Sequence, residues 1–149
     1  MTDELPEETV VDDPAEIVEG FLYALQDKDW DTMAAAMDEN IVYHNVGTPI
    51  VSGRHRVLKF LRRGLDRPRA AFEVIIHRIA VEGGSVLTER TDVLAFGGFR
   101  MQFWVCGVFE VHNGRITLWR DYFDFFELLI KAPLRGLVGM LFPQRTSAP

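Results

Sequence analysis

Residues 85–123, SVLTERTDVLAFGGFRMQFWVCGVFEVHNGRITLWRDYF, contain three runs rich in Phe, Val, Ile, Trp and Thr, which is the composition of β-strands. The runs span Ser85–Phe96, Phe99–Val111 and Arg115–Phe123. Gly97-Gly98 and Asn113-Gly114 separate them as turn signals. Asn-Gly between two such runs is a strong hairpin signal. The stretch therefore predicts consecutive antiparallel strands joined by tight turns.

The residues before this stretch indicate mostly helices. Pro14 follows Asp13, which suits a first helical residue and its N-cap, and apolar residues then recur at helical spacing. Further helices are predicted at Trp30–Met37 and Arg56–Leu65. The other predicted elements are a strand at Ile41–Val46, a loop at Gly47–Gly53 and a strand at Phe72–Ala80, which is followed by the turn signal Glu82-Gly83-Gly84.

A last helix is predicted after the strands, from about Phe125. Asp124 and Glu127 have the spacing of a capping box, so we interpret Asp124 as an N-cap and not as a further catalytic acid. Leu128 and Leu129 begin the apolar side of this helix. Pro133 is expected to break or kink it, because proline lacks the backbone N–H that a helix needs.

Helices first and an antiparallel meander afterwards predict an α+β fold, with helices on one face of a curved, mostly antiparallel sheet. A length of 149 residues fits one domain. We divide the chain into a flexible acidic tail at residues 1–13, a single domain at residues 14–142 and a C-terminal tail at residues 143–149.

Charge and composition exclude several classes of protein. The net charge of −6 argues against a nucleic-acid partner, and the basic run at residues 54–69 is interpreted as the solvated side of a helix. No apolar stretch is long enough to span a membrane, so no integral membrane contact is expected. Cys106 is the single cysteine and is expected to be a buried core thiol. We expect a cytoplasmic protein.

The strand Phe99–Val111 is apolar on both faces, because Phe99, Met101, Phe103 and Val105 alternate with Trp104, Cys106 and Val108. One face can pack on the helices or line a cavity. The other face also needs cover, and a second copy of the sheet would supply it. This pattern motivates the hypothesis of a homodimer that forms through the sheet.

Polar side chains interrupt these apolar strands on one side only. Strand side chains alternate between faces, so Thr88, Arg90 and Asp92 share a face. Asp121 shares a face with Trp119 and Phe123 in the last strand, and Tyr43 shares one with Asn45 in the first. Burying a charge costs several kcal/mol unless it is paired. We therefore expect Arg90 to lie between Asp92 and Asp121 and to hold both carboxylates.

An arginine with two carboxylates and one shared proton is neutral, which is the easiest state to keep in an apolar cavity. Such a pair supplies an acid and a base together, and this suits the opening of a strained ring by water. Spacing alone leaves another interpretation open, because an Arg–Asp pair on a strand is often an ordinary ion pair. By themselves, these residues predict only a polar cavity.

At these residues the chain resembles the limonene-1,2-epoxide hydrolase family. The similar segments are Val42-Tyr-His-Asn45, Thr88-Glu-Arg-Thr-Asp-Val-Leu94, Gly107-Val-Phe109 and Gly114-Arg-Ile-Thr-Leu-Trp-Arg-Asp-Tyr-Phe-Asp124, in the family's order and within residues 15–136. The resemblance extends to mycobacterial members, through Gln102-Phe-Trp-Val-Cys-Gly-Val-Phe-Glu110. It implies a nuclear-transport-factor-like, or cystatin-like, cone with a deep pocket, and a dimer.

The resemblance also implies roles for individual residues. Asp92 would protonate the epoxide oxygen, Asp121 would take a proton from water, and Arg90 would bridge the two carboxylates. Tyr43 and Asn45 would position the water, which attacks directly without a covalent intermediate. No metal and no organic cofactor is implied, and the four histidines show no metal-ligand spacing. The expected substrate is a bulky apolar epoxide.

Five further side chains would share the interior face if the strand register holds, and they would then line the substrate pocket, although each also fits an ordinary core position: Met101, Phe103, Val105, Trp119 and Phe123. Three other functions remain open on this fold. They are a non-catalytic lipid- or steroid-binding protein, a steroid isomerase and a polyketide cyclase. The residues after the similar region, Leu137–Phe142, are expected to cap the pocket mouth, extend the dimer, contact a membrane surface or simply pack as a helical turn.

Overall fold

The computed structural model describes residues 12–142, so most of the two predicted tails lies outside the described part of the chain. The elements follow in this order: α1 Pro14–Asp27, α2 Trp30–Ala36, β1 Met37–Asn45, β2 Val51–Ser52, α3 Arg54–Leu65, β3 Ala70–Glu82, β4 Ser85–Phe96, β5 Phe99–His112, β6 Arg115–Tyr122, a π-helical turn Glu127–Lys131 and α4 Ala132–Leu141. The expectation of helices followed by a β-meander is confirmed.

The strands form one six-stranded sheet in the order β2-β1-β6-β5-β4-β3. Neighbouring strands are antiparallel except β1 and β6, which run parallel. Parallel pairing is possible there because a long stretch of chain connects β1 to β6. The predicted curved, mostly antiparallel sheet is therefore confirmed, and β1 lies beside β6 with Asn45 opposite Asp121.

Helix α1 covers the inner face of the sheet. Asp13 caps it, as predicted, by accepting a hydrogen bond from the Ala15 backbone N–H at 3.0 Å. Its buried side includes Phe21, whose ring meets Trp119 edge-on with ring centroids 5.1 Å apart. Phe109 packs on the same pair of rings. This aromatic cluster closes one end of the space between helices and sheet.

Helix α3 confirms the interpretation of the basic run. Val57, Leu61 and Leu65 are buried, at spacings of four residues, while the arginines and lysine between them face outward or lie at the helix edge. The predicted loop before α3 contains the two-residue strand β2, which pairs with β1 at Val42 and Tyr43. The strand β1 also begins earlier than predicted, at Met37.

The helix does not break at Pro133, which was one of the two outcomes expected there, because it continues to Leu141. The preceding π-helical turn is closed by the Ala132 N–H, which donates to the Glu127 carbonyl five residues back. Pro133 consequently falls in the first turn of α4, where a missing N–H leaves no helical bond unmade. Asp124 caps this segment, as predicted, by accepting from the Phe126 N–H at 2.8 Å.

The prediction for Cys106 is wrong, because its side chain is exposed. On β5, Phe103 and Val105 point inward and are buried, so Trp104 and Cys106 point to the outer face of the sheet. The strand is apolar on both faces, and composition alone did not distinguish them. Separately, none of the helices within residues 12–142 has the length and hydropathy of a membrane span.

Candidate active site

Arg90 is the largest fully buried side chain among residues 12–142. Its Nε donates to Asp92 Oδ1 at 2.9 Å, and its Nη2 donates to Asp92 Oδ2 at 3.2 Å and to Asp121 Oδ2 at 2.6 Å. Its Nη1 donates to Thr88 Oγ1 at 3.2 Å. One guanidinium therefore links two carboxylates, as the strand pattern predicted, and the two acids are themselves buried.

The strand register explains how Arg90 reaches a carboxylate two strands away. Thr88 of β4 lies opposite Gly107 of β5, and Gly107 lies opposite Asp121 of β6. A Cβ on Gly107 would overlap the Arg90 guanidinium and would lie 2.7 Å from Thr88 Oγ1. The glycine therefore leaves the gap through which Arg90 crosses β5. The sequence analysis quoted Gly107 only as part of a motif and gave it no role.

The two carboxylates differ in how many of their oxygen atoms accept a hydrogen bond. Both oxygens of Asp92 accept hydrogen bonds from Arg90. Asp121 uses Oδ2 for Arg90, whereas its Oδ1 is buried and has no hydrogen-bond partner in the described structure. A buried unpartnered carboxylate oxygen is uncommon and calls for a polar ligand. Asp121 lines the cavity, and its Oδ1 lies on the side of Gly107, where a Cβ would come within 3.0 Å of it.

Electrostatics set the protonation states of the cluster. Burial raises the pKa of Asp92 from its ordinary 3.8 to about 6, against the opposing effect of Arg90 and with a further increase from Asp121. Burial lowers the pKa of Arg90, but the charges of Asp121 and Asp92 outweigh burial and leave that pKa above its usual range. Arg90 thus stays charged, while Asp92 can carry a proton near neutral pH.

Tyr43 and Asn45 lie beside this cluster on β1. The Asn45 Nδ2 donates to the Tyr43 hydroxyl at 2.8 Å, and the backbone register places Asn45 opposite Asp121. Burial, reinforced by the charge of Asp121, raises the pKa of Tyr43, so its phenol keeps its proton. Since the hydroxyl accepts from Asn45, its own proton is free to be donated to a ligand.

These groups open onto a cavity of about 760 Å³ between the sheet and the helices. The five positions expected to face a pocket all line it: Met101, Phe103, Val105, Trp119 and Phe123. Asp92, Asp121, Tyr43 and Asn45 also line it, and Arg90 lies behind them, outside the lining. The wall is otherwise mostly apolar. Its volume and lining are typical of a site for one small apolar molecule.

The remaining wall residues were missed in the sequence. The strand residues Phe72, Leu94 and Phe96 share the inward face by alternation, so extending that rule to more of β3 and β4 would have found them. The helical contributors had no such signal: Leu25, Phe60, Leu61, Arg63, Gly64, Leu65, Leu128, Leu129 and Pro133. Within residues 12–142, histidine, cysteine and carboxylate side chains form no group of three that could hold a metal ion.

A buried pair of carboxylates with one proton can protonate one atom of a ligand and deprotonate another. Asp92 has the raised pKa that suits the acid, which leaves Asp121, the second carboxylate at the cavity wall, as the candidate base. The arrangement is thus suited to adding water across a polar bond in an otherwise apolar ligand.

Comparison with known proteins agrees with this chemistry. A sequence model of the limonene-1,2-epoxide hydrolase catalytic domain matches residues 12–135. Epoxide hydrolase EphG of Mycobacterium tuberculosis (strain ATCC 25618 / H37Rv) is 50% identical over 143 residues, which cover 96% of this chain and 94% of that protein.

Solved structures show the same relationship. An LEH-like epoxide hydrolase from M. tuberculosis superposes with a TM-score of 0.80 at 53% identity, covering 86% of this chain and 94% of that one. A protein with a ketosteroid isomerase-like fold from Catenulispora acidiphila DSM 44928 has a TM-score of 0.68 at 16% identity, covering 78% and 92%. At that identity only the fold is shared, and it is the predicted cone. From the extent and identity of these matches, the chain belongs to the limonene-1,2-epoxide hydrolase family of enzymes.

Proposed function

We propose that the protein adds water to a bulky apolar epoxide and gives a vicinal diol, without a covalent enzyme intermediate. Asp92, in its protonated form, donates to the epoxide oxygen as the carbon–oxygen bond breaks. Asp121 takes a proton from the water as the new carbon–oxygen bond forms. The proton then returns from Asp121 to Asp92 across the group that Arg90 holds together, and the cycle balances.

One observation carries this proposal. Two buried carboxylates share one buried guanidinium at the wall of an apolar cavity, and only one of them keeps an unpartnered oxygen. An ion pair that served stability alone would need no such oxygen, because leaving a buried acceptor unpaired costs about 1–3 kcal/mol. Asp121, which lines the cavity, is the carboxylate that we assign to the attacking water.

Tyr43 and Asn45 complete the water site in this proposal. The water would donate one hydrogen to Asp121 and accept from the Tyr43 hydroxyl, whose proton is free because Asn45 donates to its oxygen. Holding the water in this way aligns it for attack and reduces the entropy lost at the barrier. Both residues are therefore proposed as water-positioning residues.

The apolar wall favours a bulky hydrophobic epoxide over a small polar one. The proposed substrate contacts are Met101, Phe103, Val105, Trp119 and Phe123. Polar groups lie mainly at the Asp92–Asp121 end, so a terpene, fatty-acid or sterol derivative would place its epoxide there and its hydrocarbon against the remaining wall. The chemistry needs no cofactor in this proposal.

Turnover of bulky apolar epoxides by variants that remove one charge each tests the function. Asp92→Asn, Asp121→Asn and Arg90→Gln should each lower kcat by at least about a hundredfold, because each removes the acid, the base or their common partner. Asp124→Asn is the matched control, since it makes the same change at an exposed N-cap and Asn caps equally well. Retained hydrolysis in all three site variants would overturn the proposal.

A non-catalytic protein for apolar ligands is the second candidate, because the cavity alone would serve it. The same variants separate the two functions. A binding protein would retain a saturable affinity for apolar ligands in wild type and variants alike and would show no diol product with any of them. Diol formed by the wild type and lost on Asp92→Asn supports the enzyme.

We also propose that the protein is a homodimer that works in the cytoplasm. Ile75, Thr91 and Trp104 lie in one row across β3, β4 and β5 on the outer face, and Ile75 and Trp104 are both about half exposed. An exposed apolar row on a sheet favours a second copy as its cover. Sedimentation at micromolar concentration should give the dimer mass, whereas a monomer mass would remove the dimer from the proposal.

A further inference from the structure

Residues 125–142 carry a concentration of exposed apolar side chains. Leu134 is 60% exposed, Leu141 63% and Phe142 74%. The same segment exposes Phe126, Leu129, Ile130, Leu137, Val138 and Met140. Single exposed apolar residues are ordinary, but a contiguous set on one helical segment marks an interaction surface. Leu134, Val138 and Leu141 recur at spacings of four and three, so they share one side of α4.

This segment is continuous with the cavity. Leu128, Leu129 and Pro133 belong to it and also line the cavity. Leu129 faces both ways, since it is 64% exposed while it contributes to the wall. The exposed apolar side chains of the segment therefore lie next to the apolar wall of the cavity.

Helix α3 also contributes exposed residues to the cavity lining, and it is basic; we call the exposed lining residues of α3 and of residues 125–142 the cavity mouth. Phe60 and Arg63 of α3 line the cavity and are exposed, and Arg56 lies on the same side of the helix by spacing. Residues 54–69 contain seven arginines and lysines and one acidic residue, although the chain as a whole has a net charge of −6. Lys131 adds one cation from the apolar segment, in which Arg135 is paired with Glu127 at 2.7 Å. The mouth is thus a basic region on an acidic protein.

We propose that residues 125–142 and the exposed side of α3, together the mouth surface, dock onto an anionic lipid bilayer and admit an apolar ligand from it into the cavity. Exposed apolar side chains beside cations are the combination by which helices bind at a lipid interface without spanning it. Charge favours lipid over a symmetric contact with a second copy, because that contact would set this basic region against the same basic region, whereas an anionic bilayer complements it. The proposal rests on the cavity and its mouth and does not depend on the reaction.

Flotation with vesicles tests the mouth surface in the full-length protein. The wild type should float with phosphatidylglycerol vesicles and much less with phosphatidylcholine vesicles, and added salt should weaken the binding. The triple variant Leu134→Gln, Val138→Gln, Leu141→Gln should lose vesicle affinity by roughly tenfold or more. Its melting temperature and its turnover of a water-soluble epoxide should match the wild type, because the three residues are exposed and outside the cavity wall.

Two further variants separate the apolar and the basic contributions to vesicle binding. Val81→Gln is the control, because it removes an exposed apolar residue beside the β3–β4 turn, whereas α4 meets the β4–β5 turn at Gly98; its vesicle binding should be unchanged. Arg56→Gln with Lys59→Gln should abolish the preference for phosphatidylglycerol. Failure of the wild type to bind these vesicles, or undiminished binding by the triple variant, would overturn the proposal. A triple variant that sedimented as a monomer where the wild type is a dimer would instead assign the surface to a second copy and would also overturn it.

Discussion

Arg90 is fully buried although it is charged, which is unusual for an arginine. The positive charge of its guanidinium balances the negative charges of two carboxylates. Removing any one of the three side chains would therefore leave an unbalanced charge in the low-dielectric interior. This mutual dependence makes the group a structural element as well as the proposed catalytic centre.

Arg90→Gln should therefore lower the free energy of unfolding by about 3–5 kcal/mol, because it leaves two buried acids without a counter-charge. Arg78→Gln is the matched control, since Arg78 pairs with Glu89 at an exposed site and should change stability by only about 0–1 kcal/mol. Urea unfolding at neutral pH measures both. Equal losses for the two variants would show that Arg90 does not compensate the buried pair.

The pKa of Asp92 predicts a falling limb in the pH–rate profile. In the proposed mechanism Asp92 is the acid in its protonated form, and its pKa is raised to about 6, so the protonated fraction decreases as pH rises through that value. We expect kcat/KM to decrease by about tenfold per pH unit at higher pH. A flat profile between about pH 5 and 10 would contradict the shared proton.

A substitution at Gly107 tests whether Arg90 needs the space that the missing side chain leaves. Gly107→Ala places a methyl group where the Arg90 guanidinium lies, so we expect kcat to fall by more than about tenfold and stability by about 1–3 kcal/mol. Gly20→Ala is the control, because Gly20 lies in α1 with nothing within 4 Å and should stabilise slightly. Wild-type activity in Gly107→Ala would show that Arg90 can take another path across β5.

At this scale, alternation along the strands correctly placed Arg90 with Asp92 and Asp121 with Trp119. It could not identify the role of Gly107, because that role depends on which residues lie opposite in two neighbouring strands. Cys106 shows the complementary limit. Its apolar neighbours resemble a core, yet it faces outward, and only the direction of curvature decides which face of a two-sided apolar strand is inside.

The element that closes the cavity is the segment from Glu127 to Leu141. β6 pairs with β5 only from Cys106 to His112, and α4 packs beside the first half of β5. Arg135 Nη2 donates to the Gln102 carbonyl there at 3.2 Å, and Gly136 approaches the Arg100 carbonyl closely. The position of α4 on β5 thereby sets the position of Leu128, Leu129 and Pro133 in the wall.

Gly136→Ala should displace α4, because a Cβ at this position would lie 2.5 Å from the Arg100 carbonyl oxygen. We expect KM for a bulky epoxide to rise several-fold with a smaller change in kcat, since the wall moves while the Arg90 cluster stays. Gly139→Ala is the control in the same helix, with nothing within 4 Å. Steady-state kinetics compares them, and equal KM values would show that the packing of α4 does not shape the cavity.

Elements with local signals were predictable. The strands from Ser85 onward were found because turn residues mark their ends, and α1 because Asp13 and Pro14 mark its start. The path of the chain after Asp124 was not predictable, because a π-helical turn has no sequence signature that separates it from an α-helix. The helix could continue through Pro133 only because that turn shifts the proline to a helix start.

At the scale of the whole molecule, the cavity needs parts that are distant in sequence. Its reactive end comes from β1, β4 and β6, and its apolar wall adds α1, α3, β3, β5 and the final segment. The strand residues of this wall follow from period 2, whereas the helical ones depend on how each helix docks on the sheet. The fold class and the cluster of Arg90, Asp92 and Asp121 could therefore be predicted from the sequence, whereas the helical half of the pocket could not.

In the proposed mechanism water attacks the epoxide directly, activated by Asp121 and assisted by Asp92. A single-turnover reaction in ¹⁸O-labelled water, with enzyme in excess over a bulky apolar epoxide, tests it most directly. We predict one ¹⁸O atom in the diol after the first turnover and no label in the enzyme carboxylates, as direct attack requires. An unlabelled diol together with ¹⁸O in Asp92 or Asp121 would reveal a covalent ester and would contradict the account.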